Sequence, residues 1–165
     1  MANALPQAIG AQLSHPGRQV ITLSGDGGLA MLMGDLLTLR QLQLPVKLVV
    51  FNNSALAFVE LEMKAAGLLN FATDLHNPDF AKMAEAAGLL GLKAETPGQV
   101  RPLLLDALHH DGLALLEVAV NRQELALPPS IAWDQMIGFS LYMIKAVLNG
   151  RGDEIIDLAK TDVFR

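Results

Sequence analysis

Residues 19–53, QVITLSGDGGLAMLMGDLLTLRQLQLPVKLVVFNN, constrain this chain more than any other stretch. Two apolar, β-branched runs, 19–23 and 46–51, flank an amphipathic run over about 29–43. In that run Leu32, Leu36, Leu39 and Leu42 recur at helical spacing, and Pro45 ends it. A strand–helix–strand unit of this length makes the two strands parallel. Strands that are apolar nearly throughout belong to a sheet covered by helices on both faces. The first strand ends in Ser24-Gly25-Asp26-Gly27-Gly28 and the second in Asn52-Asn53. Hydrogen-bonding and anionic groups therefore gather at the C-terminal tips of both strands, the edge where open parallel sheets bind ligands.

The rest of the chain continues the alternation. Residues 3–14 read as a helix stopped by His15-Pro16-Gly17. Residues 54–64 read as a loop entering a short helix, and 67–76 as a loop. Asn77-Pro78 has the chemistry of a helix start, with Phe80, Met83, Ala84 and Ala87 facing inward and Gly88 ending the helix. A short strand over 91–95 follows. Thr96-Pro97 repeats the cap for a helix reaching His110, with Pro102 able to delay or kink its start. Asp111-Gly112 turns into a last strand over 113–120. The fold class is α/β: a doubly wound, mostly parallel sheet with helices on both faces, plus a C-terminal helical tail. The organisation is an α/β domain over 1–120, a linker over 121–137 that holds Pro128-Pro129 and Trp133, and a tail over 138–165. In the tail an apolar run to Leu148 is broken by Gly150-Arg151-Gly152 before a second short helix.

Composition narrows the functional classes. A content of 52 % hydrophobic and 18 % charged residues in 165 suits a well-buried domain. A net charge of −5 without a basic cluster speaks against a nucleic-acid partner. With no cysteine, thiolate nucleophiles, disulfides and Cys-bound zinc are excluded. The apolar runs are too short or too interrupted to span a membrane, and no basic segment followed by an apolar run opens the chain. His109 and His110 are adjacent, so a helix points them apart; with His15 and His76 they read as solvated.

The glycine–aspartate–glycine edge suits a metal-bound diphosphate. Glycines at 25, 27 and 28 let the backbone approach closely and adopt positive φ where required. The following helix offers free N–H groups and a partial positive charge. Asp26 supplies a hard carboxylate oxygen and Asn53 an amide oxygen, and magnesium would complete its octahedron with diphosphate, a backbone carbonyl and water. No Gly-Lys-Ser/Thr follows, so this is not a P-loop, and the third glycine of a dinucleotide fingerprint is missing.

Gly25-Asp26-Gly27 with Asn52-Asn53 resembles the cofactor signature of thiamin diphosphate enzymes. NNSALAFVELEMKAAG, FAKMAEAAG, LALPP, GFSLYM and GRGDEIIDLAKT are similar to the C-terminal third of the ubiquinone-dependent pyruvate dehydrogenases, or pyruvate oxidases. The resemblance implies the thiamin diphosphate-binding fold. It implies magnesium on Asp26, Asn53 and the backbone oxygen of Ala55, and diphosphate contacts from Gly27, Gly28 and Asn53. It places Met1 where a large residue props the cofactor in its bent form, and Phe58 and Glu62 near the thiazolium and the substrate. Ala57 departs from the family, where relatives often have Gly.

The reaction so implied is oxidative decarboxylation of pyruvate to acetate, with electrons passing through FAD to ubiquinone. The FAD site and the glutamate that activates the aminopyrimidine lie in family domains outside these residues, so the expectation is a fragment inactive alone. The resemblance also implies a homo-oligomer, a tetramer, in the cytoplasm at the inner face of the cell membrane. There the tail would meet lipid with Ile155, Ile156, Ala159 and Val163 and with Phe164 at its end. Alternatives are an acetolactate synthase or another 2-oxo acid decarboxylase, or a non-catalytic domain that kept the fold.

Overall fold

The computed structural model describes residues 1–122 and 133–163, with side chains as far as residue 160. They group into two units, Met1–Ser54 with His76–Val120, and Ala55–Leu75 with Asn121–Arg165.

The first unit is built on strands β1 (Ile21–Gly25), β2 (Lys47–Asn52), β3 (Leu90–Ala94) and β4 (Ala114–Ala119). All pairings are parallel, in the order β1-β2-β4-β3. This unit also carries α1 (Ala4–Ser14), α2 (Asp26–Met31), α3 (Asp35–Gln41), α5 (Phe80–Ala86) and α6 (Pro97–His109); α4 (Ala57–Ala65) belongs to the second. The connections β1→β2 and β2→β3 step one way across the sheet and β3→β4 steps back. Right-handed crossovers then put α2, α3 and α5 on one face and α6 on the other. The core divides accordingly. Val46, Leu48, Val50, Leu113 and Leu115 pack with Leu5, Leu29, Leu36, Leu39 and Phe80 on the first face. Val49, Ala114, Leu116 and Val118 pack with Ala107 and the inner side of α6 on the second. The alternation along β2 and β4 is the two-residue period of a strand buried on both sides.

Some elements differ from the sequence expectation. The run at 29–43 is two helices, not one. Leu32 N bonds Leu29 O at 3.1 Å and Asp35 N bonds Leu32 O at 3.0 Å, a tight turn around Gly34. The turn re-aims the second helix, so Leu29, Leu36 and Leu39 reach the core while Leu32 and Leu42 are exposed. Asn77 does not cap α5. The cap is Asp79, directly before the helix, whose Oδ1 accepts from Lys82 N at 3.0 Å. Pro102 sits inside α6 without ending it, and Gln99 Oε1 caps that helix's entry by accepting from Thr96 N at 3.0 Å.

The second unit contains α4, α7 (Trp133–Leu148) and α8 (Gly152–Val163). The first tail helix thus begins five residues before the expected Gly138, at Trp133, and the remaining linker residues 123–132 lie outside the described residues. Helices α4 and α7 touch backbone to backbone at Gly138, where a Cβ would stand 1.8 Å from Ala65 O. Glu60, 1 % exposed, and Lys64 lie on the buried side of α4. Glu60 accepts from Thr73 Oγ1 at 2.8 Å and pairs with Arg122. Lys64 Nζ is 3.9 Å from Glu60 Oε2 and 5.6 Å from the centre of the Tyr142 ring. Tyr142 OH donates to Glu154 Oε2 at 3.0 Å, and Arg151 Nε donates to Glu154 Oε1 at 2.7 Å. These bonds set the rotation of α8. Ile155 and Leu158 turn inward while Ile156 and Ala159 face out, so the expected lipid-facing set is split between two sides. The side chains of Val163 and Phe164 lie outside the described residues. Among the described residues no helix is long and apolar enough to cross a membrane.

Candidate functional site at the strand tips

Four parallel strands bring their C-terminal ends to one edge of the first unit. Gly25 pairs with Phe51 in the register, and Asn52 with Ala119, so the tips of β1, β2 and β4 are neighbours. Helix α2 begins at Asp26, directly after β1, and thereby fixes the carboxylate at the edge.

Asp26 is 3 % exposed. Its Oδ1 accepts from Gly27 N at 2.9 Å, and its Oδ2 accepts from Ser54 N at 2.9 Å and from Asn77 Nδ2 at 2.7 Å. Among the described residues no Lys, Arg or His pairs with it. A buried carboxylate held only by neutral N–H donors carries an uncompensated charge, which suits a site built to receive a cation.

The tip of β2 is equally ordered. Asn52 Oδ1 accepts from Ser54 N at 3.1 Å, a turn in which an asparagine bonds the backbone two residues on. Ser54, with φ 55°, takes the left-handed conformation at the end of this turn. Asn77 Nδ2 donates at 2.9 Å to the same Asn52 Oδ1, so one amide group bridges Asp26 and Asn52. Half-buried Asn53 lies between Asn52 and Ser54 at this tip.

Behind them Glu117, on β4, is 2 % exposed. Its Oε1 accepts from Asn52 Nδ2 at 2.7 Å, and its Oε2 from Phe80 N at 3.0 Å and Ala81 N at 3.4 Å. The charge of Glu117 is the main cause holding the Lys93 ammonium above its ordinary pKa. The Asp79 carboxyl is held below its ordinary value chiefly by the Lys82 backbone N–H, with Lys93 and Lys82 assisting.

The expected site residues fall in both units. Gly25, Asp26, Gly27, Gly28 and Asn53 sit together at the edge of the first. None of the three glycines has positive φ, so the conformational reason expected for them does not hold. At Gly25 a Cβ would meet nothing within 4 Å, so no neighbour within the chain calls for glycine there. Met1 is exposed and adjoins this loop, since Ala2 N lies 3.6 Å from the point where a Cβ on Gly28 would stand. Ala55, Phe58 and Glu62 belong to the second unit. Ala55 is buried in an isolated bridge to Asp74. Phe58, 69 % exposed, and Glu62 stand one turn apart on the outer side of α4, opposite Glu60 and Lys64.

Sequence reasoning missed Asn77 and Glu117. Asn77 was hidden by its suitability as a cap. Glu117 had a signal, a lone acid inside the apolar run LALLEVAV, because such an acid must find donors to be buried. The donor set fits magnesium. Among the described residues no group of three or more His, Cys, Asp or Glu could hold a metal. One carboxylate, Asp26, at a strand tip that also carries Asn53 suits an ion that keeps phosphate oxygens and water in its shell.

Comparison with known proteins gives the family. Residues 1–118 match the family model described as thiamine pyrophosphate enzyme, C-terminal TPP binding domain. A Bacillus subtilis protein provisionally named as thiamine pyrophosphate-containing, YdaP, is 37 % identical over 161 residues, 98 % of this chain and 28 % of its own length. The Bacillus subtilis acetolactate synthase is 35 % identical over 118 residues, 72 % of this chain and 21 % of its own. The acetolactate synthase large subunit of Porphyra purpurea is 34 % identical over 146 residues, 85 % of this chain and 25 % of its own. The chain thus spans between 21 % and 28 % of the length of these relatives. A parallel α/β sheet, a family model over residues 1–118 and relatives over most of the sequence lead to one statement: the chain belongs to the thiamine pyrophosphate enzymes and carries their C-terminal cofactor-binding domain.

Proposed function

We propose that this domain holds the magnesium–diphosphate end of thiamin diphosphate within an enzyme that decarboxylates a 2-oxo acid. The observation that carries the proposal is Asp26, a buried carboxylate at a strand tip, fixed by three N–H donors and by no cation among the described residues. Asp26 and Asn53 would hold magnesium, and the backbone of Gly27 and Gly28 would meet the diphosphate. When bound, thiamin diphosphate supplies the electron sink for decarboxylation. The part of this chain is to bind and orient. Asp26 is pre-set by Gly27, Ser54 and Asn77. Phe58 and Glu62, on the outer side of α4, are proposed as substrate-side residues of the complete enzyme.

The names of the relatives favour a reaction of the acetolactate synthase kind over oxidation of pyruvate to acetate. The quinone-linked reading, with FAD, ubiquinone, lipid contact by the tail and a peripheral place on the membrane, is kept as the second one. It is supported by GFSLYM and GRGDEIIDLAKT in the tail, and the YdaP match reaches 161 residues where the two acetolactate synthases reach 118 and 146.

Titration calorimetry of thiamin diphosphate into the chain, with and without magnesium, tests the cofactor proposal. Binding that needs magnesium and falls at least roughly 100-fold in Asp26→Asn is expected for loss of a metal ligand. Binding indifferent to both would overturn it. Fusion to the remaining domains of a relative, followed by product analysis with pyruvate, separates the reactions: acetolactate supports the first reading, and acetate with quinone reduction the second.

A further inference from the structure

We propose that Glu117 is a positioning residue for the cation edge, acting through the polarity of a hydrogen-bond chain that runs from β4 across β2 to Asp26. The inference rests on the magnesium–diphosphate reading and assigns to it a residue of another strand.

The chain of bonds has only one sense. An ionised carboxylate accepts and cannot donate. Glu117 therefore obliges Asn52 to turn its NH2 group inward, and Asn52 Nδ2 meets Glu117 Oε1 at 2.7 Å. The amide oxygen of Asn52 must then face the strand tip, where it accepts from Ser54 N at 3.1 Å and from Asn77 Nδ2 at 2.9 Å. With its oxygen so placed, Asn52 holds Asn77 and Ser54 as donors, and both donate to Asp26 Oδ2, at 2.7 and 2.9 Å. Glu117 itself is fixed by Phe80 N and Ala81 N. It never touches Asp26, yet it decides which way the Asn52 amide points, and the oxygen of that amide is what Ser54 N and Asn77 Nδ2 meet beside Asp26. The turn over Asn52–Ser54 that presents Asn53 is held by the same bonds.

Replacing Glu117 by glutamine keeps the shape and destroys the sense. Phe80 N and Ala81 N would claim the new amide oxygen, leaving its NH2 against the NH2 of Asn52. Relief comes when Asn52 flips, and its NH2 then opposes Ser54 N and Asn77.

The experiment measures magnesium affinity in the presence of thiamin diphosphate by calorimetry, with folding followed by circular dichroism. Glu117→Gln is expected to weaken magnesium 10- to 100-fold, the size typical of outer-shell partners. Adding Asn52→Asp to Glu117→Gln restores the sense, because Asp accepts from the new glutamine and from Ser54 and Asn77. Affinity should return to within about threefold of the original. Asn52→Asp alone sets two carboxylates against each other and should weaken binding. Unchanged affinity in Glu117→Gln overturns the proposal, as does a folded double variant that stays weak. Binding in Asn52→Asp alone as tight as in the double variant would also overturn it, by showing added charge rather than polarity. Should Glu117→Gln fail to fold, Asn77→Ala, which leaves Glu117 in place, takes over. It is expected to weaken magnesium about tenfold, and unchanged affinity there sinks the proposal. If the original chain binds no cofactor at all, the magnesium–diphosphate reading fails first and this inference with it; a loss confined to the variants' predicted pattern leaves both standing.

Discussion

The two units bury a carboxylate in opposite ways. In the first, Asp26 is held by the N–H groups of Gly27, Ser54 and Asn77 and has no cationic partner among the described residues. In the second, Glu60 is met by Arg122 and by Lys64 as well as by Thr73. Both side chains are almost wholly buried. Desolvating a charge is expensive, so the difference lies in what offsets it. Glu60 is already neutralised, and its business is to hold α4 to its neighbours. Asp26 has directional support without neutralisation, which keeps its charge available to an ion. Burial alone therefore does not separate the two acids; the presence or absence of an ion-pair partner among the described residues does.

The sharpest break of this comparison is Glu60→Ala. It takes the Glu60 carboxylate from buried Lys64 and one of two carboxylates, Glu60 and Asp74, from Arg122. Removing one partner from a buried pair costs about 3–5 kcal/mol, and the partly exposed Arg122 places the expected loss toward the lower end. Urea denaturation followed by circular dichroism reads it. A loss below about 1 kcal/mol would show that solvent already shares the charge.

Gly138→Ala follows, at about 3 kcal/mol, the upper end of ordinary overpacking costs. The added Cβ would fall 1.8 Å from Ala65 O, and neither backbone can yield without parting α4 from α7. A melting curve that separates the second unit from the first would show the loss confined to the former. An unchanged curve would mean that the two helices pack less closely than this.

The sequence shows the sheet because its signals are local. The apolar strands, the punctuation at Pro45, Gly88 and Thr96-Pro97 and the polar strand tips are each read within a few residues. The break at Gly34 was not readable, since Leu32, Leu36 and Leu39 satisfy one continuous helix as well as two short ones. At the site, Asp26 was legible from its glycines. Asn77 and Glu117 were not, because their roles depend on partners 51 and 65 residues away in the chain. The same holds for residues 55–75, whose buried Glu60 finds Arg122 across 62 residues. Spacing along a strand or helix encodes faces; it does not encode which distant amide a carboxylate will meet.

Tyr142 gives the comparison a pH handle, as the only tyrosine in the chain. Burial first, then its bond to Glu154 and the negative charge there, push its hydroxyl up to about 12. The folded state therefore favours the protonated form. The resulting stabilisation is fully present below the unfolded value near 10 and is lost as pH rises through about 12. Two pKa units correspond to about 2–3 kcal/mol. Tyrosinate absorbance should titrate with a midpoint near 12. A midpoint near the ordinary value of about 10 would show that this α7 side chain is not buried against Lys64 and Glu154.

Asp26→Asn should move stability least, by about 1–2 kcal/mol, although it removes a charge buried as deeply as that of Glu60. The asparagine keeps its oxygen toward Ser54 N and Asn77 Nδ2 and turns its NH2 toward Gly27 N, so one bond is lost and no cation among the described residues is stranded. The gain from magnesium separates the two acids. With thiamin diphosphate present, magnesium should raise the melting temperature of the original chain and of Glu60→Ala, because only Asp26 is kept for the ion. It should leave Asp26→Asn unmoved. If Glu60→Ala loses the magnesium response and Asp26→Asn retains it, the assignment of an ion-ready acid to the first unit and a neutralised one to the second is reversed.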